Sequence, residues 1–355
     1  MTEVLRVDSD NPDPNAIERA AACLRRGGLV AFPTETVYGL GVHALDREAV
    51  LRLFRAKGRP ANDPLIVHVS TIDDVAPLVT ELSPDAYALA ARFWPGPLTI
   101  VVRRSRAVPD EVTAGLGTVG IRVPSHPVAR ALISAAGIPI AAPSANLFSR
   151  PSPTDATHVI ADLNDRIDMV VDGGPTEVGV ESTVVDLSQG LPVILRPGAV
   201  GLDMLRAVLP KIDLRKSTTT QPSAAQRSPG LMSKHYAPRA PVTVYEGDAE
   251  AALSAMARDA LALVGGGKRV ALLAFAEDVA RLVDLPVRLV HLGSERDTAD
   301  VAARLYAALR ECDDLGAEAV LARIVTTQHA LSAAVRDRLH RAATRIIDVG
   351  TGGAR

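Results

Sequence analysis

The sequence predicts an α/β protein in two parts, a large twisted open sheet followed by a smaller parallel α/β domain. Three observations carry that expectation. Short apolar runs rich in Val, Ile and Leu alternate along the chain with longer segments of helical period. The stretch KSTTTQPSAAQRSPGLMSKHYAPRAP, 216–241, breaks the alternation with Ser, Thr, Pro and Gln and reads as a linker. With 355 residues, 47% of them hydrophobic, the chain can bury two separate cores. The domains are therefore placed at 1–210 and 241–355, joined by 211–240.

Taken in order, AIERAAACLRRGG is an amphipathic helix stopped by glycine, GLVAFP a strand, DREAVLRLFRAKG a helix and PLIVHVS a strand. In SPDAYALAARFWPG, Ser83 is the cap, Pro84 takes the first helical position and Pro-Gly ends the helix before the strand PLTIVVRR. TVGIRVP, PIAAPSAN, MVVDGG, STVVDL and VILRPG supply further strands, with helices in HPVARALISAAG and TDATHVIADLND. Beyond the linker, PVTVYEG, KRVALLAF, VRLVHLG, AEAVLARIV and TRIIDVG take turns with helical segments, the pattern of a doubly wound parallel sheet. The GGG at 265–267 precedes a strand rather than following one, so it is not a dinucleotide-binding loop.

Composition removes several classes of function. A net charge of −2 gives no global basic field, so a polyanion would have to meet a local patch. No apolar run reaches the ~18 residues of a membrane span and MTEVLRVDSDNPDP has no signal-peptide pattern, so a cytoplasmic protein without a membrane partner is expected. Cys23 and Cys312 stand alone, which suggests neither a disulfide framework nor a zinc site.

Candidate chemistry collects where apolar strands end in polar residues. In KGRPANDPL, Gly58 and Pro60 force a turn around Lys57 and Arg59, a point charge and a planar fork suited to a phosphate; read alone, a KxR pair is a solvated turn. His68 alternates with Val67 and Val69, which allows a binding-face or a core histidine. In IAAPSAN, Ser144 and Asn146 can hydrogen-bond a nucleotide while small Ala142 and Ala145 let backbone approach it, or the run is a polar turn. Arg122, between Ile121 and Val123, needs an anionic partner if buried, from substrate or protein. Ser182, Thr183 and Arg196 repeat the pattern, and Thr34, Thr36 and Tyr38 close the strand VAFP with hydroxyls around the carboxylate of Glu35. Together these ends suggest one basic, hydroxyl-lined crevice.

FPTETVYGLG, KGRPANDPLIVHV, FWPGPLTIVV, GIRVPSHP, PIAAPSAN, ESTVVD and ILRPGAV, in this order, resemble the YrdC/Sua5 family, and SPGLMSKHYAP before a second α/β domain resembles its Sua5 branch. The resemblance implies a YrdC-like catalytic domain with a concave positive face, a Rossmann-like C-terminal Sua5 domain, and synthesis of L-threonylcarbamoyladenylate. The substrates it implies are L-threonine, bicarbonate and ATP, with pyrophosphate released and the product used for N6-threonylcarbamoyladenosine in tRNA. By the same resemblance, Lys57, Arg59, Ser144 and Asn146 form the catalytic signature. Thr34, Tyr38, His68, Arg122, Ala142 and Ser182 would hold threonine. Ala61, Thr118, Ser152, Arg196 and Tyr236, with the signature residues, would hold the nucleotide.

Mg²⁺ is expected to accompany ATP rather than sit in a protein metal site, since no Asp/Glu cluster is evident; Glu35 is the nearest carboxylate. tRNA and downstream threonylcarbamoyl-transfer proteins are further candidate partners. An RNA-binding module could use Lys57, Arg59 and Arg122 as a phosphate track, but aromatics make up only 3% of the chain and leave few stacking platforms. In the linker, SPGLMSKHYAP reads either as a lid that brings Tyr236 to the nucleotide or as an anchor that packs it against one domain.

Overall fold

The structure is a computed structural model and describes residues 1–214, 236–327 and 330–350. They divide into two compact units: Met1–Phe148 with the chain from Ser152 to the linker, and Ser149–Pro151 with the chain from 236 onward.

In the first unit the strands are β1 (Glu3–Arg6), β2 (Val30–Pro33), β3 (Tyr38–His43), β4 (Ile66–His68), β5 (Leu98–Arg103), β6 (Thr118–Arg122), β7 (Ile140–Ala141), β8 (Met169–Asp172), β9 (Thr183–Asp186), β10 (Val193–Arg196) and β11 (Asp213–Leu214). They form one mixed sheet in the order β1-β8-β2-β3-β7-β4-β6-β5-β9-β10-β11. Both faces are covered. Val30, Phe32 and Ile140 face the helices Pro14–Arg25 and Pro127–Ala136, while Ala31, Leu40 and Val42 face Leu53 and Phe54 of the helix Arg47–Lys57. That two-sided burial follows from the period-two alternation of strand side chains.

Local chemistry sets the helix limits. Ser83 Oγ accepts from Ala86 N at 3.2 Å and Pro84 opens the helix Pro84–Phe93, as the sequence predicts. The first helix begins at Pro14, earlier than its apolar period suggests, because Asp13 accepts from Asn15 N and Pro14 takes the first turn. Gly58, at φ 63°, ends the helix Arg47–Lys57 in the left-handed conformation that a side chain would resist.

The principal departure from the sequence expectation is at VAFPTETVYGLG. Thr34–Val37 is not a strand exit but the turn of a hairpin, with β3 antiparallel to β2 and Pro33 opposite Tyr38. Glycine hid β3, because Gly39 and Gly41 leave it without an alternating apolar pattern. Gly41 is there for space: a Cβ on it would lie 2.7 Å from Phe32 Cε1 and 2.9 Å from Ile140 Cγ2.

The second unit holds β12 (Val242–Glu246), β13 (Val270–Ala274), β14 (Arg288–His291), β15 (Ala319–Arg323) and β16 (Arg345–Asp348), all parallel, in the order β14-β13-β15-β12-β16. This is the predicted parallel architecture. The segment AEDVARLVDL is shorter than expected as a helix, with a 3₁₀ turn at Ala276–Asp278 leading into Val279–Leu282. Asp278 is drawn inward there, meeting Arg323 at 2.6 Å.

Gly41→Ala is expected to destabilise the protein by about 1–3 kcal/mol, since Phe32 and Ile140 sit in a packed core and must shift. A urea midpoint equal to that of the unaltered protein would contradict this.

Candidate active site

The helix Arg47–Lys57 delivers Lys57 into the first unit, where it is 2% exposed. Its ammonium donates to the carbonyl oxygens of Ser144 and of Asn146, the latter at 2.5 Å. Phe148 N donates back to Lys57 O at 2.9 Å. The PSAN segment is thereby tied to the end of a helix far from it in sequence. On its other side Leu40 N donates to Pro143 O and Ala145 N to Tyr38 O, both at 2.8 Å. Arg59 also turns inward: Nη2 lies 2.9 Å from Asp63 Oδ2 and Nε donates to Asp63 O at 3.1 Å. The sequence expectation had both cations reaching into a pocket for phosphate; in the structure each is held by protein acceptors, because a charge this deeply buried needs partners.

Arg122 ends β6 and His68 ends β4, directly opposite in parallel register, so both side chains leave the same face of the sheet. Arg122 is 4% exposed. Its Nη1 donates to Thr36 Oγ1 at 2.9 Å, its Nε to Gly96 O at 3.3 Å, and its Nη2 stands 2.8 Å from Glu35 Oε1 without hydrogen-bond alignment. His68 is 3% exposed and its Nδ1 has no hydrogen-bond partner. Burial, and then the Arg122 charge beside it, pull its imidazole down to about 3.

The Thr34–Val37 turn closes on itself, with Thr34 Oγ1 donating to Val37 O at 2.6 Å and lying 2.8 Å from Thr36 Oγ1. Gly179 N donates to Thr36 O at 3.0 Å and Val178 N to Glu35 O at 2.9 Å, which brings the loop before β9 against the turn. Tyr38 donates its hydroxyl to Gly174 O at 2.6 Å, and burial, with Asp172 next in effect, raises its phenol above the ordinary value. Ser152 donates to Glu181 at 2.5 Å. A bulge between Ile194 and Arg196 re-aims the last side chain of β10, so that Arg196 donates to Ser182 O and Oγ, both at 3.1 Å. Ala142, 6% exposed, donates its N–H to Ile66 O at 2.9 Å beside this group.

Hydrogen bonds and sheet register thus link Thr34, Tyr38, Lys57, His68, Arg122, Ala142, Ser144, Asn146, Ser152, Ser182 and Arg196. Arg59 meets Asp63, and Ala61 and Thr118 lie elsewhere in the first unit. Ala61 is exposed on the turn after Arg59. Thr118 begins β6 where Arg122 ends it and lines an open groove of about 440 Å³ with Arg103, Leu116, Gly117, Ser188 and Gln189. Tyr236 belongs to the second unit, 1% exposed, its ring 5.4 Å from that of Tyr306 and 5.6 Å from the Arg338 guanidinium. Of the proposed lid, 228–235 lie outside the described residues. Asp63, Thr99 and Glu181 were passed over in the sequence, although each supplies an acceptor or hydroxyl partner inside the network. The need of a buried arginine for a carboxylate was the signal that could have marked Asp63. Among the described residues no three His, Cys, Asp or Glu side chains converge as a metal cage.

Fold and site define a two-unit α/β protein whose larger unit gathers buried cations and hydroxyls around its strand ends. Residues 22–198 match the Sua5/YciO/YrdC family model, described as telomere recombination, and 200–344 match the threonylcarbamoyl-AMP synthase C-terminal domain. The threonylcarbamoyl-AMP synthase of Pyrococcus abyssi is 42% identical over 94% of this chain and 96% of its own, and that of Bacillus subtilis 42% identical over 93% of each. A crystal structure of P. abyssi Sua5 complexed with L-threonine superposes with a TM-score of 0.90 at 40% identity, covering 98% of this chain and 99% of that one. The chain belongs to the Sua5/YrdC family, in its Sua5 branch.

His68 is expected to stay neutral between about pH 5 and 8, giving flat imidazole ¹⁵N shifts in a titration followed by NMR. The unfolded chain protonates this group at its ordinary value of 6.5 and the folded one only at about 3, so His68 withdraws stability as pH falls through that window. An inflection of the His68 shifts above pH 5 would contradict the assignment.

Proposed function

We propose that this chain is a threonylcarbamoyl-AMP synthase, which makes threonylcarbamoyl-AMP from L-threonine, bicarbonate and ATP and supplies it for N6-threonylcarbamoyladenosine in tRNA. The observation that carries the reading is end-to-end likeness to a relative of that name, 42% identical over 94% of this chain. In class it is a nucleotidyltransferase. The amine of threonine takes up carbon dioxide to become a carbamate, and a carbamate oxygen then attacks the α-phosphorus of ATP as pyrophosphate leaves. Both steps depend mainly on positioning and on stabilising charge as it develops.

In this reading Arg122 meets the threonine carboxylate. It is already oriented by Thr36 and Gly96, so it loses little freedom on binding. His68 stays uncharged beside it, adding no second positive charge to the site. Thr34, Tyr38, Ala142 and Ser182 shape the remainder of the amino-acid pocket. Ser144 and Asn146, in a segment fixed by the Lys57 ammonium, face the nucleotide together with Arg59, Ser152 and Arg196. Mg²⁺ enters as part of the ATP substrate, held by its phosphates.

Pyrophosphate release is expected to require L-threonine and bicarbonate together, because the nucleophile toward phosphorus is the carbamate and not the amino acid. Turnover that persists when either is omitted would sink this mechanism. Lys57→Ala is expected to lower turnover by about 10²-fold, the effect of losing about 3 kcal/mol of transition-state organisation. Unaltered rates in this variant would show that the Ser144–Asn146 segment needs no such anchor.

A further inference from the structure

Glu35 is a buried acid beside the site, paired with Arg122. It lies in the hairpin turn between β2 and β3 and is 5% exposed. Neither carboxylate oxygen receives a hydrogen bond. The flanking hydroxyls are engaged elsewhere, Thr34 with the backbone of its own turn and Thr36 with Arg122. Arg122 Nη2, at 2.8 Å, neutralises the carboxylate's charge but is not aligned to fill its lone pairs. A buried carboxylate with open acceptor sites is costly unless a donor is brought to it.

We infer that Glu35 accepts the α-ammonium of the amino-acid substrate, which makes it a specificity-determining residue of the threonine pocket. The inference rests on the synthase reading above. An α-amino acid carries its ammonium and carboxylate on one carbon, so its site must present an anion and a cation side by side. Glu35 Oε1 and Arg122 Nη2 do so at 2.8 Å. The three N–H donors of an ammonium suit two unfilled carboxylate oxygens. A divalent metal suits them less well, because Arg122 stands against the same oxygen and no three metal-ligating side chains converge among the described residues.

Calorimetric titration of the whole protein with L-threonine and with (R)-3-hydroxybutanoate, which lacks only the amine, tests the assignment. The unaltered protein is expected to prefer L-threonine by at least about 10-fold, the scale of one charge-assisted hydrogen bond. Glu35→Gln is expected to lose most of that preference by weakening threonine at least about 10-fold, while 3-hydroxybutanoate, whose carboxylate meets Arg122, is not weakened and ATP binds as before. Equal affinity of the unaltered protein for the two ligands overturns the assignment without recourse to any variant. Full preference retained in Glu35→Gln overturns it as well. Failure of the unaltered protein to bind L-threonine at all overturns the synthase reading, and this inference with it.

Discussion

The Lys57 ammonium ties the distant Ser144–Asn146 segment to two elements that follow one another in sequence, β3 and the helix Arg47–Lys57. It ends one helix, it binds two carbonyl oxygens of the Ser144–Asn146 segment, and that segment is itself stitched to β3 through Tyr38 and Leu40. A buried cation must be surrounded by acceptors, and backbone carbonyls that serve it cannot move freely. The requirement to solvate one lysine internally therefore fixes the backbone of the loop that carries Ser144 and Asn146. Gly58 matters for the same reason, since its left-handed conformation ends the helix at that lysine.

A second constraint is electrostatic. Parallel pairing of β4 with β6 places His68 beside Arg122, and both are buried. Burial first, and then the positive charge of Arg122 beside it, keep the imidazole neutral. The face therefore carries one guanidinium, paired with Glu35, and an uncharged imidazole beside it.

The second unit offers a useful contrast. Arg323 is as buried as Arg122 and also meets carboxylates, Asp278 and Glu295, each at 2.6 Å. There the remaining capacity is filled: Thr326 donates its hydroxyl to Glu295 Oε1 at 2.6 Å, and the guanidinium lies 4.5 Å from the centre of the Phe275 ring. That cluster is closed, its buried charges paired at the carboxyl end of β15. The Arg122–Glu35 pair, with both carboxylate oxygens unfilled, is open.

Much of this was legible in the sequence because it depends on local rules. Apolar runs of strand length, Ser83 as a cap and Gly58 as part of a turn read directly as elements. The strict alternation after the linker likewise gave the parallel sheet of the second unit. The polar residues at strand ends stood out because they interrupt otherwise apolar segments, and the structure links most of them by hydrogen bonds and register. Tertiary structure alone decided the rest. β3 is hard to see in the periodicity because two glycines interrupt it, and one of them, Gly41, answers to the space needed by Phe32, a contact across strands. Whether Lys57 and Arg59 face outward or inward depends on which acceptors lie nearby, and those of Lys57 come from a segment far along the chain. Glu35 acquires its meaning only from Arg122, which reaches it through sheet register and not through sequence proximity. Sequence determines what each segment tends to form; which charges meet is set by long-range pairing, and no local pattern encodes that.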